Sequence, residues 1–480
     1  MKVITNTDEF PDYLKDASNF RGNCDALLMP VHEEEIQEAV EFAGREGLPL
    51  TIAGNGTGLT GGRVPQGGAV LSLEKIPHRI LFDEEKKCVT VSAGLPLIRL
   101  LEAVDERGLF FPPDPTEKLC ACGGIVATNA SGAKSFSYGA VRNFVESLDL
   151  ILADGSSFTV KRGEFIASGN TFGTLTFLRE GNLTFSPLPM PEVKNASGYF
   201  LKSGMDLIDL FIGSEGTLAL TRNITFRLLP KPAGILSCLA NFVTEEGALD
   251  FIQELRLLSG EQKPLAIEYF DQGALRLLKA DYHFTDDRAA AAVWFEFETA
   301  EEIPEPLLDI LTALFAGCGG KGEIMMASSP GERRQLELMR HAAAYKVNEY
   351  IASRGVRKLG TDTAVPAAAF RDFYFESRNL VKKSGLDYVI YGHFGNSHIH
   401  LNMLPENQTQ FEAGKEIYAE LCKNAILRGG TVSAEHGIGK IKKDYLRMMY
   451  GEAGIGAMKE VKRVFDPGFR LGRGNLFDPD

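Results

Sequence analysis

The densest run of glycine in the chain lies between two short apolar segments, and it sets narrow limits on the local fold. The run reads Gly54-Asn55-Gly56-Thr57-Gly58-Leu59-Thr60-Gly61-Gly62-Arg63. It contains the pattern G-x-G-x-x-G, and Glu74 follows near the distance at which a Rossmann fold places its ribose-binding acid. In a Rossmann fold, however, this pattern opens a helix whose N-terminus holds the pyrophosphate. Here the next predicted strand already begins at Ala69. The sequence therefore predicts a long loop between strands at 49–53 and 69–73.

Such a loop is suited to binding a diphosphate, because residues without side chains let successive backbone N–H groups approach an anion. Taken alone, it could also be an ordinary glycine-rich surface loop. Four further segments favour a ligand, since they supply small residues and polar tips around an apolar slot, as a flavin requires. These segments are Pro112–Thr116, Gly123–Gly132, Tyr138–Arg142 and Gly213–Thr217.

The length of the chain predicts more than one domain, because 480 residues exceed the size at which a single core stops growing. Pro230-Lys231-Pro232 interrupts strand pairing and marks a boundary. We expect domains at 1–230 and 231–445, and a segment at 446–480 that packs back on the first domain. The first domain has short strands (26–31, 148–153, 218–221) and a helix at 33–46. The second has longer helices at 247–258, 304–316, 332–351 and 411–427, which indicate a helix-covered sheet.

The charge balance argues against nucleic acid as a partner. Acidic residues outnumber basic ones by 64 to 51, which gives a net charge of -13 and makes a general affinity for phosphate backbones unfavourable. The sequence predicts no signal peptide, and no apolar run approaches the roughly 20 residues that cross a bilayer. The seven scattered cysteines suit a reducing compartment. We expect a cytoplasmic protein without a transmembrane segment, with peripheral membrane contact left open.

Half of the eight histidines fall between residues 393 and 436. Residues 391–402 read as a strand end, a tight turn and a second strand, one face of which carries His398, His400 and Asn402. Glu435 and His436 follow a predicted helix. Imidazoles with one carboxylate suit a borderline divalent metal such as zinc or manganese, with positions open for substrate oxygens. Any one of these histidines could be a buried core residue, whereas the cluster favours a metal.

The glycine-rich segments resemble the FAD-binding domain of the vanillyl-alcohol oxidase and p-cresol methylhydroxylase superfamily, and the likeness covers nearly the whole chain. It implies an α+β fold, with a two-subdomain FAD-binding domain of the p-cresol methylhydroxylase type and a helix-covered antiparallel-sheet substrate domain, the cap. It implies pyrophosphate contacts at Gly54, Asn55, Gly56, Thr57, Gly58, Leu59 and Gly61. Around the flavin it implies Pro113, Thr116, Gly123, Gly124, Thr128, Asn129, Ser131, Gly132, Gly216 and Thr217. Some relatives attach flavin through a histidine in the first loop. Here the nearest histidines, His32 and His78, lie outside it, so we expect non-covalent FAD.

The second half resembles the branch of FAD-linked D-lactate dehydrogenases, the glycolate oxidase catalytic subunit and D-2-hydroxyglutarate dehydrogenase. Residues 392–400 are similar to its motif G-H-x-G-D-G-N-x-H, whose first and last histidines bind metal. The matching positions are His393 and His400. In its E-H-G motif, Glu435 matches the third metal ligand and His436 the catalytic histidine. The middle of the first motif departs, because Asn396, Ser397 and His398 replace D-G-N. His398 is therefore either an additional ligand or a substrate contact.

A carboxylate substrate also needs a cation, ideally a guanidinium fork. Arg340 matches the helix arginine of the branch, and Lys358 lies near the usual position of a substrate lysine. The resemblance thus implies substrate contacts at Arg340, Lys358, His398 and Asn402.

Together these features predict a FAD-dependent dehydrogenase for a small D-2-hydroxy acid such as D-lactate, glycolate or D-2-hydroxyglutarate. In this hypothesis the metal holds the 2-hydroxyl and a carboxylate oxygen, His436 removes the hydroxyl proton, and the C2 hydride passes to flavin N5. An external acceptor (a quinone, a cytochrome or an electron-transferring flavoprotein) reoxidises the flavin, and a homodimer is left open.

Three alternatives stay open from the sequence. A flavin oxidase that uses oxygen would share every motif. A non-catalytic FAD-binding subunit of a larger oxidase complex would not need the histidine cluster, and a zinc hydrolase would not need the flavin loops.

Overall fold

The computed structural model describes residues 1–178, 181–282, 288–300, 303–354 and 358–479. Within these ranges, the N-terminal half holds two larger sheets and the C-terminal half holds one. There are also two short two-stranded sheets. One pairs Thr171–Phe172 with Leu183–Thr184, and the other pairs Leu109–Phe110 with Leu229–Pro230. The predicted α+β class is confirmed.

The first sheet has the strand order Lys2–Ile4, Ala26–Met29, Ala69–Ser72 and Leu50–Ala53. Its last two strands are parallel neighbours, joined directly by the glycine loop. Parallel neighbours usually require a helical crossover, yet here residues 54–68 contain no helix. The predicted loop without a Rossmann helix is thus confirmed. Helix Glu34–Arg45 buries the apolar face formed by Ile36, Ala39, Val40 and Ala43.

The second sheet is antiparallel, with the order Ile80–Asp83, Cys88–Ser92, Leu220–Arg227, Val145–Ile151 and Ser157–Lys161. Short helices connect its strands to the cofactor loops, at Leu97–Asp105, Cys122–Ala127, Ser135–Tyr138 and Ile208–Phe211. The segment between 121 and 132 is buried for most of its length, so its backbone is fixed against the sheet.

The cap is built on an antiparallel sheet in the order Met325–Ala327, Gly234–Phe242, Ala291–Thr299, Pro264–Asp271, Tyr388–Gly392, His398–Met403 and Leu359–Gly360. Thr363–Ala364 also pairs with the histidine strand. The covering helices are Glu245–Leu257, Gln272–Leu278, Glu305–Gly317, Pro330–Ala352, Phe370–Ser384 and Gln408–Leu427. Helix Pro330–Ala352 begins at Ser329, whose hydroxyl accepts from the N–H of Glu332, and proline stands at its first position.

The C-terminal part returns to the first sheet. Helix Lys443–Phe465 is interrupted at Gly451, and the residues after it run beside Leu50. Leu50 N–H donates to the carbonyl of Arg470 at 2.8 Å, and Gly472 N–H donates to the carbonyl of Leu50 at 3.0 Å. The boundaries at 230 and 445 stay a prediction. None of the helices within the described ranges is both long and apolar enough to span a bilayer.

Candidate active site

A cavity of about 1000 Å³ lies between the N-terminal half and the cap. Its wall combines the glycine loop, the segments near 115–132 and 211–219, the histidine strand and the loop at 435–442. This volume is at the upper end of the range found for ligand pockets. Most of the residues predicted from separate parts of the sequence are therefore gathered around one cavity.

The glycine loop presents its backbone to this cavity. Gly56 and Gly61 have φ values of +76° and +75°, a left-handed conformation that side chains disfavour. Within the described ranges, the backbone N–H groups of residues 55–60 have no protein acceptor. The Arg63 guanidinium lies behind the loop and donates to the carbonyls of Gly54 and Asp12. The loop is thus braced from behind, with a row of donors left for an anion.

The predicted cofactor residues divide into two groups. Those in the cavity wall are Gly54, Asn55, Gly56, Thr57, Gly58, Leu59, Thr116, Gly123, Gly124, Thr128, Ser131, Gly132 and Gly216. Gly61, Pro113, Asn129 and Thr217 lie behind the wall. Asn129 braces the flavin-side loops, since its side chain accepts from the N–H of Arg142 at 3.1 Å and donates to the carbonyl of Asn195 at 3.2 Å.

His393, His400 and Glu435 meet on the cap side of the cavity. His393 follows strand Tyr388–Gly392, His400 lies within the next strand, and Glu435 stands in the loop before the last helix. The Nε2 atoms of both histidines lie 3.1 Å from the same oxygen, Oε1 of Glu435. Nε2 of His436 is 3.7 Å from that oxygen. Possible ligand atoms therefore converge on one point.

The two imidazoles are also held at their other nitrogens. Nδ1 of His393 lies 2.7 Å from Oε1 of Glu268, and Nδ1 of His400 lies 3.3 Å from the carbonyl oxygen of Thr361. The acceptor at each Nδ1 orients the ring so that Nε2, the nitrogen that would ligate a metal, faces Glu435. Two imidazole nitrogens and one carboxylate oxygen that face a common point are the ligand types that zinc sites use. The donor set therefore fits a divalent metal.

The second oxygen of Glu435 faces the N-terminal half. It accepts hydrogen bonds from Nζ of Lys194 at 2.6 Å and from the hydroxyl of Ser131 at 3.2 Å. Burial would raise the pKa of Glu435, but Lys194 and His393 outweigh it and hold that pKa well below the usual value. Glu435 is thus ionised and joins the flavin-side wall to the histidine cluster.

His436 stands at the cavity with a quarter of its side chain exposed. Its Nδ1 lies 3.4 Å from Oδ2 of Asp362, and its ring stacks on His400 with centroids 5.2 Å apart. Burial lowers the pKa of His436 to about 4, although Asp362 acts in the opposite direction. The imidazole is therefore uncharged at neutral pH, which leaves it able to accept a proton.

The loop that carries His436 is fastened to the cofactor side. Ile438 and Gly439 donate their N–H groups to the carboxylate of Glu215 at 2.6 and 2.7 Å. The N–H of Lys440 donates to the carbonyl of Thr60 at 2.9 Å. A Cβ atom on Gly439 would lie 2.1 Å from that carbonyl oxygen, so only glycine permits this approach. The position of His436 is thus tied to the glycine loop.

Arg340 and Lys358 both reach the cavity wall from the cap. Arg340 is held by Glu268, with Nε 3.3 Å from Oε2, and by His341, whose Nε2 is 2.6 Å from Nη1. Nζ of Lys358 donates to Oδ1 of Asn348 at 3.2 Å. Burial lowers the pKa of Lys358 to about 8. Both residues can therefore present positive charge to an anionic ligand near neutral pH.

His398 and Asn402 occupy different surroundings, although they share a strand. His398 is fully buried and lies outside the cavity wall. Its Nε2 is 2.8 Å from Oδ1 of Asp362, and its Nδ1 is 3.3 Å from Nζ of Lys194. Asn402 reaches the wall and donates to the carbonyl of His400 at 3.2 Å. His398 is thus buried beside the cluster, and one of its ring nitrogens lies within 4.8 Å of ligand atoms of His393, His400 and Glu435.

Four residues of this site were not found by sequence reasoning: Glu268, Lys194, Asp362 and Glu215. Glu268 did leave a signal, because it is an acidic residue inside the apolar segment Leu265–Phe270. A charge in such a segment is costly unless it is paired, which indicates a special role. Lys194 and Asp362 lie in irregular segments without a pattern that distinguishes them.

Comparisons with known proteins agree with this architecture. Residues 231–476 match the family described as FAD linked oxidases, C-terminal domain, and residues 24–161 match the FAD binding domain family. A D-lactate dehydrogenase of Archaeoglobus fulgidus is 29% identical over 96% of this chain and 92% of its own length. The glycolate oxidase subunit GlcD of Bacillus subtilis is 28% identical over 100% and 93%. A D-2-hydroxyglutarate dehydrogenase of Xanthomonas citri pv. viticola is 30% identical over 94% and 89%.

Solved structures support the fold. Two structures of alkyldihydroxyacetonephosphate synthase superpose with TM-scores of 0.61 and 0.62, at 15% and 13% identity. They cover 93% and 98% of this chain, and 76% and 82% of their own chains are matched. At this identity the likeness concerns the fold alone.

Proposed function

The chain belongs to the family of FAD-linked oxidases, and on that premise we propose that it oxidises a small D-2-hydroxy acid to the corresponding 2-oxo acid. It is an oxidoreductase of the p-cresol methylhydroxylase type, in the branch of 2-hydroxy-acid dehydrogenases. Relatives named for D-lactate, glycolate and D-2-hydroxyglutarate support this substrate class.

In this proposal, the cofactor is held without a covalent bond. The free N–H groups of residues 55–60 bind the pyrophosphate, and the wall around Gly124, Thr128 and Ser131 contacts the flavin. His393, His400 and Glu435 hold a divalent metal, with zinc or manganese as the expected ion. When bound, FAD supplies the two-electron acceptor and the metal supplies a Lewis acid that lowers the pKa of the substrate hydroxyl.

The protein groups then orient the acid and move its proton. Arg340 and Lys358 attract the substrate carboxylate, while Nε2 of His436 accepts the hydroxyl proton. Asp362 stabilises the imidazolium that forms, since its carboxylate lies beside Nδ1. Asn402 and His398 stay predicted substrate contacts, and the burial of His398 favours Asn402.

One observation carries the proposal. The Nε2 atoms of His393 and His400 converge on one oxygen of Glu435, beside His436, in a cavity that the glycine loop also lines. A subunit that only stored FAD would have no need of that cluster. A zinc hydrolase would have no need of the loop.

An external carrier is proposed to reoxidise the flavin. A quinone, a cytochrome or an electron-transferring flavoprotein would each serve, because the two electrons can leave together or, as with a cytochrome, one at a time to two carriers, without changing the residues that bind the acid. Oxygen as the acceptor would make the protein an oxidase, and peroxide formation separates that case.

The experiment is anaerobic bleaching of the flavin by a panel of D- and L-2-hydroxy acids, after loading with FAD and Zn²⁺ or Mn²⁺. We expect D-enantiomers to bleach the flavin absorbance and their L-enantiomers to leave it unchanged. Removal of the metal with a chelator should abolish bleaching, and its return should restore it. A colourless protein, or a flavin that no 2-hydroxy acid reduces, would refute the proposal.

A further inference from the structure

Glu268 lies at the centre of a strand whose eight residues, Pro264–Asp271, are all buried. Only 4% of Glu268 is exposed. An ionised carboxylate in such surroundings is strongly unfavourable unless charged partners compensate for it. The role of Glu268 therefore depends on the charged groups that it contacts.

The two oxygens of Glu268 bind two different parts of the active site. Oε1 lies 2.7 Å from Nδ1 of His393, and Oε2 lies 3.3 Å from Nε of Arg340. The guanidinium of Arg340 supplies the counter-charge that an ionised carboxylate needs in such surroundings. The carboxylate is thus ionised and bridges the two residues.

His393 and Arg340 lie where the two polar groups of the proposed substrate would bind. The other nitrogen of His393 belongs to the metal site, where the hydroxyl group would bind. The guanidinium of Arg340 reaches the cavity wall, where the carboxylate would bind. His341 holds Nη1 at 2.6 Å, and burial and Arg340 lower the pKa of His341 to about 2, so it stays an uncharged acceptor.

The remaining edge of the guanidinium is open towards the cavity. In the described part of the chain, the hydrogen bonds of Arg340 involve Nε and Nη1, which leaves Nη2 for a ligand. The ring centroid of Trp294 lies 5.9 Å from the guanidinium carbon, within reach of a cation–π attraction. Arg340 is therefore oriented by its hydrogen bonds to Glu268 and His341.

From this geometry we infer that Glu268 is a positioning residue that sets the distance between the hydroxyl site and the carboxylate site. The inference rests on the proposed function. In a 2-hydroxy acid the two groups are on adjacent carbons, whereas a 3-hydroxy acid places one more bond of about 1.5 Å between them. Because one rigid carboxylate holds both His393 and Arg340, the distance between the hydroxyl site and the carboxylate site is fixed by the protein. Glu268 would thus select 2-hydroxy over 3-hydroxy acids.

Two variants test the inference on the protein loaded with FAD and Zn²⁺. Glu268→Asp shortens the side chain by one methylene, so one carboxylate can no longer reach both partners. Glu268→Gln keeps the length, but its amide cannot accept from Arg340 while its oxygen accepts from His393. Glu296→Gln is the matched control, because Glu296 is a buried glutamate in the adjacent strand that pairs with Lys134 at 3.9 Å. Its link to the site is a longer-range attraction to Arg340, without an ion pair to it in the described part of the chain.

Three quantities are measured for each variant. The first is the Zn²⁺ dissociation constant from chelator competition, and the second is the dissociation constant of a 2-oxo acid from the change in flavin absorbance. The third is the ratio of kcat/KM for the best D-2-hydroxy acid with at least three carbons to that for its 3-hydroxy isomer.

We expect Glu268→Asp to weaken Zn²⁺ binding about 10- to 100-fold, as for other residues that orient metal-bound histidines. Both Glu268 variants should weaken 2-oxo acid binding by about tenfold or more, through the lost charged hydrogen bond. The ratio for 2-hydroxy over 3-hydroxy acids should fall at least about tenfold. Glu296→Gln should keep all three quantities within about twofold.

Two results would overturn the inference. An unchanged ratio of 2-hydroxy to 3-hydroxy acid in both Glu268 variants would mean that Glu268 only stabilises the fold, even if both bind Zn²⁺ less tightly. A wild-type flavin that no 2-hydroxy acid reduces would overturn the proposed function and this inference with it. A wild type that works while the variants keep the ratio refutes this inference alone.

Discussion

Replacement of Asp362 by asparagine should separate the stability of the site from its chemistry. The Asp362 carboxylate is completely buried and collects donors from several segments. It accepts from the N–H of His436 at 2.9 Å, from the hydroxyl of Ser433 at 2.6 Å and from Nζ of Lys442 at 2.9 Å. Burial would raise the pKa of Asp362, but His436 and Lys442 outweigh it and hold that pKa well below the usual value.

The size of both effects follows from these contacts. Asparagine leaves Lys442 buried without its counter-charge, and removal of one partner of a buried ion pair costs about 3–5 kcal/mol of unfolding free energy. The imidazolium of His436 loses the carboxylate that lies 3.4 Å from its Nδ1, and a polar contact to a charged group is worth about 1.5–3 kcal/mol. That loss corresponds to a flavin-reduction rate about 10- to 150-fold lower.

Asp466→Asn provides the control. Asp466 is also fully buried and pairs with a lysine, Lys462, at 2.8 Å, but it lies outside the cavity wall. Urea unfolding should show a similar loss of stability for both variants. Anaerobic stopped-flow reduction of fully FAD-loaded protein should be slow for Asp362→Asn alone. The same flavin-reduction rate in both variants would show that Asp362 does not support His436. An unchanged unfolding free energy of Asp362→Asn would show that Lys442 does not need the Asp362 carboxylate.

Five further substitutions test separate parts of the site. His436→Asn should keep FAD and metal but slow flavin reduction about 10²- to 10⁴-fold, as for loss of a general base, in single-turnover measurements. Gly56→Leu should abolish FAD retention, since its φ of +76° and the close Arg63 side chain leave no room, and a normal flavin-to-protein ratio after gel filtration would contradict this. Glu435→Ala should release metal in elemental analysis, whereas His398→Asn should keep it, and the reverse would show that His398 is a ligand. Burial lowers the pKa of Lys358 to about 8, so its charge is lost as pH rises through that value. KM for a 2-hydroxy acid should rise between pH 7 and 9, and Lys358→Met should have a high KM that does not change with pH.

Local sequence patterns predicted the strands and loops better than they predicted which distant residues are in contact. The absence of a helix between the glycine loop and Ala69 was visible from spacing alone, and strands Leu50–Ala53 and Ala69–Ser72 agree with it. The alternation of His398, His400 and Asn402 along one strand was visible in the same way. The surroundings of His398 are set by its contacts with Asp362 and Lys194. Both residues are distant in sequence, so the local pattern could not predict these contacts.

The longest of the helices that escaped prediction did so for a local reason. Lys443–Phe465 contains three glycines within six residues, Gly451, Gly454 and Gly456, which weaken the helical pattern. The structure shows that the helix is indeed interrupted at Gly451, where φ is +65°. Its remaining turns are stabilised by packing, through buried Ile455, Met458, Val461 and Phe465, rather than by propensity.

The link between the glycine loop and the loop of His436 has a consequence for biosynthesis. The hydroxyl of Thr60 donates to the carbonyl of His436, a residue 376 positions later in the chain. At about 5–20 residues per second, a ribosome needs roughly 20–75 s to travel that distance. For most of this interval the glycine loop is outside the ribosome while the wall that closes over it does not yet exist. Stable retention of FAD is therefore expected after translation, and nascent chains released before residue 441 should be colourless.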